Sequence, residues 1–404
     1  MKIEHRIEWN YAGAQSSFWI GHCALTGYTA VLLSSRGFNN VQVGFTSSLM
    51  AVLTIVFQLI ISNFSDHNPH IAIKKTITAL YLLAMATSGM LLSNNIPIAL
   101  MMTSFALSSA FNATIIGLFN ALVMQYINAN IPVRIGWPRG IGSVVYATCA
   151  YVLGRAIELY FPGILVPIFL CTTLFSIVLV LLMPDINRLT ARSIPAFQQD
   201  HRAVRITYRQ MLTGNTPLML FLLAGLVLYI GQTTAILFLV RVVESRGGGT
   251  TELGISMFLQ AGVEMPTLFL TPWILRRYKS SNVLVFAFFA YVFKTFLLFV
   301  STSISMVYLA MSMNMFSYGI YCICSVYFVN SLVRPGERVR AQGLVSLCSS
   351  AGGILGNMLA GAVLDAWGIQ ILLFINTLIT LFSAIIMMFC AKASQDFVPS
   401  PLPN

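Results

Sequence analysis

The sequence predicts an all-α membrane protein with twelve transmembrane helices arranged as two bundles of six. Three observations support this fold class. Of 404 residues, 57% are hydrophobic and only 9% are charged, which is more apolar surface than a water-soluble core can bury. Apolar runs of about 20 residues, the length that a bilayer requires, recur along the whole chain. A polar stretch near 184–210 divides these runs into two sets of six.

The apolar runs define the predicted spans. They fall near 10–33, 43–64, 75–93, 96–127, 137–158, 163–184, 214–242, 253–275, 282–301, 304–332, 340–364 and 369–391. The first run is too long for a signal peptide and has no small-residue cleavage site, so we expect it to be an uncleaved span. The predicted organisation is an N-terminal bundle at 1–184, a cytoplasmic loop at 185–213, and a C-terminal bundle with a short tail at 214–404.

The net charge of +11 reflects membrane topology in this interpretation. Nearly all Lys and Arg residues lie in connections that face one side if the N-terminus is cytoplasmic. The other side carries Arg36, Arg155, Arg241 and Arg246. The positive-inside rule then places both termini in the cytoplasm of a multi-pass protein of the inner or plasma membrane. The same distribution argues against a nucleic-acid partner.

Cysteine usage and motif content argue against an enzyme. The seven cysteines lie in or at the ends of apolar segments, as expected of reduced packing residues. The sequence contains no phosphate-binding Gly-x-x-x-x-Gly-Lys-Ser/Thr loop, no Cys/His metal spacing and no Gly-x-Ser-x-Gly nucleophile elbow. We therefore expect no cofactor and no metal, and any work done by the protein must draw on an ion or solute gradient.

Three titratable residues fall near the middle of their predicted spans. Glu264 lies twelve residues into span eight, Lys294 twelve into span nine and His22 twelve into span one. At about 1.5 Å per residue, each is about 18 Å from a membrane face. A charge in hydrocarbon costs about 2.5–3.5 kcal/mol, so such groups normally face a cavity or a partner. Glu264 and His22 are therefore candidates for proton coupling. A structural Glu264–Lys294 ion pair and a packing role for His22 are the alternatives.

The chain also resembles the major facilitator superfamily, and within it the proton-coupled oligosaccharide symporters of the lactose-permease group and phenylpropionate-permease-like transporters. The resemblance covers nearly the whole chain. It rests on Ser62-x-x-x-Asp66 with Lys74-Lys75, Gly136-Trp-Pro-Arg139-Gly-Ile-Gly142-Ser143, Glu264-Met-Pro266 through Pro272, Lys294, Gln342-Gly343, Gly352-Gly353-x-x-Gly356-Asn357 through Gly361, and Asp365-Ala-Trp-Gly368. The resemblance implies the major facilitator fold and a substrate site between two six-helix repeats.

The resemblance also implies residue roles. Arg139 matches a substrate-binding arginine, Tyr146 a sugar-stacking tryptophan, and Lys294 an arginine linked to proton coupling. Asn314 and Ser317 stand where the lactose-permease group carries its coupling histidine and glutamate, and Asn120 lies near an expected carboxylate. The loop residues Asp66, Lys74 and Lys75 are a candidate gating cluster, with an ordinary solvated loop as the alternative.

The function expected from the sequence is proton-coupled symport of a sugar or glycoside by alternating access. The predicted substrate-binding set is Arg139, Tyr146, Glu264, Lys294, Asn120, Asn314 and Gln232. The expected partners are a small solute, protons and the lipid bilayer, and we expect a monomer. Export of sugars or amphipathic compounds and uptake of an aromatic or other organic anion remain open alternatives. The sequence does not fix the solute, the direction of transport or the coupling ion.

Overall fold

Helices form almost all of the chain that the computed structural model describes, which comprises residues 3–68, 71–93, 95–129, 131, 133, 136–185, 211–212, 214–334 and 337–395. No strand occurs within these ranges. Nine helices in the same ranges are long and apolar enough to cross a membrane. The predicted all-α membrane fold is therefore confirmed. The count of twelve spans and the cytoplasmic position of both termini stay predictions.

The helices of the N-terminal half begin and end close to the predicted apolar runs. They are α1 Ile3–His22, α2 Thr29–Ser35, α3 Asn40–His67, α4 Ile73–Gly89, α5 Ile98–Asn128, α6 Gly136–Leu159 and α7 Leu165–Leu181. A π-helical turn, Cys23–Gly27, separates α1 from α2. Within this half α1 packs on α6 and α7, while α5 packs on α3 and α4.

The helices of the C-terminal half contain more interruptions. They are α8 Thr216–Leu237, α9 Leu239–Ser245, α10 Thr250–Gly262, α11 Glu264–Leu275, α12 Ser280–Val300, α13 Ile304–Ser312, α14 Tyr318–Leu332 and α15 Arg338–Ala393. A 3₁₀ turn, Met313–Met315, separates α13 from α14. The predicted spans eleven and twelve both lie within α15, which the non-helical residue Gly368 (φ 77°) breaks into two helical segments.

Two compact units divide the chain. One comprises Met1–Phe197 with Leu253–Phe258, and the other Gln198–Glu252 with Leu259–Asn404. Each unit has its own buried apolar cluster, centred on residues such as Phe119 in the first and Phe288 in the second. The predicted segment boundaries at 184/185 and 213/214 stay predictions.

The two halves repeat the same turn at a distance of 210 residues. Ser35-Arg36-Gly37 ends α2, and Ser245-Arg246-Gly247 ends α9. Both glycines have positive φ, 83° and 78°, which L side chains rarely adopt. The backbone hydrogen bonds also correspond, since Phe38 N–H donates to Leu33 O and Gly248 N–H to Val243 O, at 3.2 and 3.0 Å.

The repeat extends to contacts between helices. Ser176 Oγ donates to Ala14 O at 3.3 Å in the first unit. Ser383 Oγ donates to Ala224 O at 2.7 Å in the second unit. The two acceptors, Ala14 and Ala224, are again 210 residues apart. The arginines of the repeated turns likewise reach equivalent places: Arg36 donates to Leu91 O, and Arg246 to Ser301 Oγ. The equivalence between halves is thus fixed by contacts as well as by sequence.

Close contact between α8 and α15 depends on glycine. A Cβ atom added to Gly352 would lie 2.3 Å from Leu226 O and 3.2 Å from Ile230 N, which are backbone atoms of α8. A side chain at this position would therefore push the two helices apart, because a backbone cannot rotate out of the way as a side chain can.

We expect Gly352→Ala to lower the unfolding free energy by about 1–3 kcal/mol, the usual cost of overpacking. Gly343→Ala is the matched control on the same helix, since a Cβ atom there meets nothing within 4 Å. The measurement is the thermal midpoint of each purified variant in detergent. Equal midpoints for the two variants would contradict this account of the α8–α15 contact.

Candidate functional site

The side chain of Lys294 lies in the interior of the second unit, on α12. Only 1% of the residue is exposed. Its Nζ donates to Oδ1 of Asn314 at 2.8 Å. Asn314 is fully buried in the 3₁₀ turn between α13 and α14. The predicted ionisable residue of span nine is therefore held by a neutral amide of span ten.

The other end of the Asn314 amide binds Glu264. Its Nδ2 donates to Oε1 of Glu264 and to the backbone oxygen of Gln260, the latter at 3.3 Å. The amide can be oriented in only one way, because an ammonium group only donates and a carboxylate only accepts. Lys294, Asn314 and Glu264 thus form one hydrogen-bonded chain, which we call the charged chain.

This arrangement differs from the direct Glu264–Lys294 ion pair considered from the sequence. Ion pairs in the described part of the chain join His5 to Glu8, Lys74 to Asp185 and Arg241 to Glu244. Asn314 stands between the two charges and satisfies both. The predicted proximity of Glu264, Lys294 and Asn314 is present in the structure, while a direct contact of the two charges is not.

Local breaks in the helices position the charged chain. Glu264 is the first residue of α11, directly after the interruption at Val263. The 3₁₀ turn turns Asn314 away from a regular helical course, and Thr267 Oγ1 donates to Met315 O at 3.0 Å. This hydrogen bond fixes the turn against α11, so Asn314 and Glu264 stay within bonding distance.

A neutral polar cleft lies in the same unit. It has a volume of about 350 Å³ and is formed by α8, α14 and the first part of α15. No charged residue lines it among the residues that the structure describes. Its lining consists of Tyr229, Tyr318, Tyr321, Cys322, Ser325, Gln342, Val345, Ser346, Ser349 and Ser350. Hydroxyl groups both donate and accept hydrogen bonds, so this lining suits a solute that carries hydroxyl groups.

Tyr291 connects the cleft with the charged chain. It lies three residues before Lys294 on α12, and its ring meets that of Tyr321 edge-on, with 6.4 Å between centroids. The Tyr291 hydroxyl is buried and has no hydrogen-bond partner among the described residues. Tyr291 thus contacts a residue of the cleft lining and lies one helical turn from Lys294 on the same helix.

An aromatic cluster surrounds His22 in the first unit. The His22 ring stacks on Phe18 at 5.7 Å, meets Trp19 edge-on at 5.5 Å and lies 6.5 Å from the ring of Tyr146. Trp19 and Tyr146 also meet edge-on at 5.8 Å. The predicted residues His22 and Tyr146 are therefore neighbours, and Trp19 joins them.

The other predicted site residues fall into three groups. Gln232 is buried on α8, whereas the side chain of Asn120 is exposed on α5. The side chains of Arg139 and Asp66 lie outside the described residues. Arg139 belongs to α6 and Asp66 to α3. Their roles stay predictions.

Lys74 makes contacts that differ from those of a simple loop residue. Its Nζ pairs with Asp185 at 3.5 Å and donates to Met183 O at 3.3 Å. The Tyr126 hydroxyl donates to the backbone oxygen of the neighbouring Pro184 at 2.6 Å. Lys74 thereby ties α4 to the end of span six, while Lys75 is exposed. A gating role for Asp66, Lys74 and Lys75 stays a prediction.

Comparison with known proteins places this architecture in a family. The model of the MFS_1 like family matches residues 18–391. The chain belongs to the MFS_1 like family. It is therefore a multi-pass transporter of the major facilitator superfamily, and the predictions of a transporter rather than an enzyme and of that superfamily are confirmed.

Solved transporters share the fold of this MFS_1 like protein. The nucleoside transporter NupG superposes with a TM-score of 0.77 at 16% identity, over 97% of this chain and 100% of NupG. A bacterial homologue of the human lysosomal transporter Spinster gives 0.72 at 12% identity, over 97% and 98% of the two chains. A bacterial homologue of the iron transporter ferroportin gives 0.71 at 14%, over 96% and 99%. At these identities the likeness concerns the fold alone.

A human relative matches over a short segment. Solute carrier family 67 member A1 is 35% identical over 80 residues, which is 19% of this chain and 19% of that relative. The match therefore spans about a fifth of each protein.

The sequence contained a signal for the cleft that the prediction did not use. Gln342, Ser346 and Ser349 recur at i, i+4 and i+7 within 341–350, where the other residues are apolar or small, and all three line the cleft. This spacing places polar groups on one face of a helix. Tyr229, Tyr318 and Tyr321 also line the cleft, and no spacing in the sequence distinguishes them from the other aromatic residues.

We expect Asn314→Leu to destabilise the protein by about 1–3 kcal/mol, because Lys294 loses its acceptor and Glu264 its amide donor. A double-mutant cycle with Lys294→Met tests the shared contact: the combined loss should be smaller than the sum by about 0.5–3 kcal/mol. Thermal unfolding in detergent measures each term. Asn112→Leu, at a buried asparagine of the first unit, is the control that should add to Lys294→Met without coupling. If the stability losses of Asn314→Leu and Lys294→Met simply add, the hydrogen bond that joins these residues in the charged chain is contradicted.

Proposed function

We propose that this transporter moves a neutral sugar or glycoside together with protons, with the cleft as its solute site and Glu264 as the coupling acid. The observation that carries the proposal is the combination of an uncharged hydroxyl-rich cleft and a half-buried carboxylate in the same unit. Uptake and efflux assays in proteoliposomes test the direction of transport separately from its coupling to protons.

The cleft fits a polyhydroxylated ring. Its volume of about 350 Å³ lies at the lower end of the range for small-molecule sites, about 300–1,000 Å³. Four serines and a glutamine supply hydrogen bonds, and three tyrosines supply both hydroxyl groups and ring faces. A site of this type discriminates strongly against analogues without hydroxyl groups, because its buried polar atoms would then stay unpaired.

An organic anion fits this cleft less well. The described part of the lining contains no Lys, Arg or His that could offset a carboxylate. Lys294 already donates to Asn314 and is almost fully buried. An anion would have to displace that contact, so we place uptake of an aromatic or other organic anion second.

Glu264 suits proton coupling because of its place in the charged chain. One carboxylate oxygen accepts from Asn314. The side chain is half-buried, unlike those of Asn314 and Lys294. A proton can thus reach the carboxylate while Asn314 and Lys294 stay in contact. The net charge of the charged chain then rises by one.

The structural neighbours extend the test panel. NupG is described as a nucleoside transporter. A nucleoside combines a planar ring with a hydroxylated sugar, and both parts match the tyrosine and serine lining. Nucleosides therefore belong with sugars and aryl glycosides among the first solutes to test.

We expect Glu264→Gln to abolish proton-driven accumulation while solute exchange continues at about one third of the wild-type rate or faster. The amide can still bind Asn314 but cannot release a proton. The measurement is uptake of labelled uridine, methyl β-glucoside and phenylpropionate into proteoliposomes, with and without an inward proton gradient. Glu252→Gln is the matched control, since Glu252 lies at the start of α10 and binds Gly249 N–H.

Two results would reject the proposal. Accumulation that survives Glu264→Gln would remove Glu264 as the coupling acid. Transport of phenylpropionate alone by the wild type would favour an organic-anion carrier. Efflux from loaded proteoliposomes, driven by the reversed gradient, tests the export alternative in the same preparation.

Cys322 provides an internal reporter of the cleft, because it is exposed and belongs to the lining. In a variant that retains Cys322 alone, we expect a bound solute to slow alkylation by N-ethylmaleimide by about tenfold at saturating concentration. A variant that retains only Cys171, an exposed cysteine of α7, should show no protection. Equal protection or none in both variants would place the solute outside the cleft.

A further inference from the structure

Two thiols of the first unit lie against each other. Cys23 and Cys149 hydrogen-bond through their side chains, and both are free cysteines in this structure. Cys23 belongs to the π-helical turn between α1 and α2, and Cys149 belongs to α6. A disulfide requires two side chains that point towards each other, and a hydrogen bond between two thiols shows that orientation. The packing role expected from the sequence does not account for this pairing.

Other contacts hold the π-helical turn against the same part of α6. The Tyr28 hydroxyl donates to the backbone oxygen of Ala150. A Cβ atom on Gly27 would lie 3.4 Å from Cys23 Sγ and 3.4 Å from the hydroxyl oxygen of Tyr146. Tyr146 and Ala150 lie on either side of the second cysteine of the pair in the sequence of α6. The thiol pair is therefore surrounded by contacts that keep its two sulfur atoms close together.

The two thiols differ in their access to small molecules. Cys23 is fully buried, whereas Cys149 is only partly buried. A small oxidant therefore reaches Cys149 first and finds Cys23 next to it. Oxidation-sensitive thiol pairs combine an accessible cysteine with a neighbouring cysteine that completes the disulfide. Burial thus assigns a different role to each member of the pair.

We infer that Cys149 and Cys23 form a modification site for a peroxide, in which Cys149 is oxidised first and Cys23 completes a disulfide. The Cys149 thiolate attacks one oxygen of hydrogen peroxide, the O–O bond breaks, and the other oxygen leaves as water after taking up a proton. This step leaves a sulfenic acid on Cys149. The Cys23 sulfur then attacks the Cys149 sulfur, the S–O bond breaks, and a second water leaves. Two thiols are oxidised to one disulfide, and one peroxide is reduced to two waters.

The disulfide fastens the interruption of the first predicted span to α6. In the reduced protein the turn is held there by non-covalent contacts such as the hydrogen bond from Tyr28 to Ala150. Single π-helical turns within helices occur frequently at functional sites, and α1 gives way to α2 at this one. A covalent link at Cys23 restricts the turn, so the oxidised transporter changes conformation, and carries its solute, more slowly. The inference does not depend on which solute that is.

The experiment treats the wild-type protein in proteoliposomes with hydrogen peroxide. Remaining thiols are then blocked with N-ethylmaleimide in denaturant, and the peptides are mapped by mass spectrometry. We expect the main product to be a peptide pair joined between Cys23 and Cys149, with the loss of two hydrogen atoms, and dithiothreitol should reverse it. Cys171, an exposed cysteine of α7, is the internal control that should form no disulfide.

Two variants test the order of oxidation. In Cys23→Ser, Cys149 should stop at the sulfenic acid, which dimedone traps. In Cys149→Ser, the buried Cys23 should stay a thiol at the same peroxide concentration. Cys149→Ala replaces the second variant if the serine protein fails to fold, and Cys171→Ser should give the same disulfide as the wild type.

Solute exchange measures the effect on transport, with whichever of uridine, methyl β-glucoside and phenylpropionate the reduced wild type carries. We expect peroxide to slow exchange by about tenfold, because conformational steps set the rate of many such cycles. Dithiothreitol should restore the rate. Cys23→Ser should keep its own rate after peroxide, since it cannot form the disulfide.

Three results would overturn the inference. Absence of a disulfide between Cys23 and Cys149 would leave the pair a packing contact. A disulfide that leaves exchange unchanged would remove its effect on transport. Equal slowing of Cys23→Ser and wild type would place the sensitive group elsewhere. Mapping of the disulfide needs no solute, so rejection of the sugar proposal by the Glu264→Gln assay stays distinct from rejection of this site.

Discussion

The Nζ atom of Lys294 has to be satisfied inside the protein, because a charged group in an apolar interior costs several kcal/mol without a partner. Asn314 meets this demand with its carbonyl oxygen, and its amide nitrogen is then turned towards Glu264. The 3₁₀ turn at Met313–Met315 carries Asn314, and the interruption at Val263 directly precedes Glu264. Residues of three spans thus contribute to the hydrogen bonds around one buried charge.

Sequence reasoning reached the membrane fold and the superfamily, and it singled out Glu264 and Lys294, whose roles stay predictions. Composition and apolar run length decide the first, and a charge in a long apolar run is conspicuous. The bridging position of Asn314 could not be predicted, because it lies 50 residues from one partner and 20 from the other and depends on a local turn. Apolar periodicity predicts a helix but not its interruption. The roles of Arg139 and Asp66, and a finer likeness to oligosaccharide symporters, stay predictions.

The internal repeat shows a different limit of sequence reasoning. The matching Ser-Arg-Gly turns at 35–37 and 245–247 are visible in the sequence and were not used. Without contacts, however, three shared residues do not establish an alignment. The serine-to-carbonyl bonds support the alignment through their acceptors, because Ala14 and Ala224 lie 210 residues apart, while the donors Ser176 and Ser383 lie 207 apart. Only then do Trp19 and Tyr229, which share no residue identity, become equivalent.

The repeat also shows that the charged chain belongs to one half only. At a distance of 210 residues, Glu264, Lys294 and Asn314 correspond to Thr54, Ala84 and Ser104, none of which carries a charge. With Lys294 as an ammonium group, the chain has zero net charge when Glu264 is ionised and one positive charge when it is protonated. Movement of that chain across the membrane field is electrically silent in the first form. In the second it carries one elementary charge, so a potential of 100 mV contributes about 2.3 kcal/mol to the step.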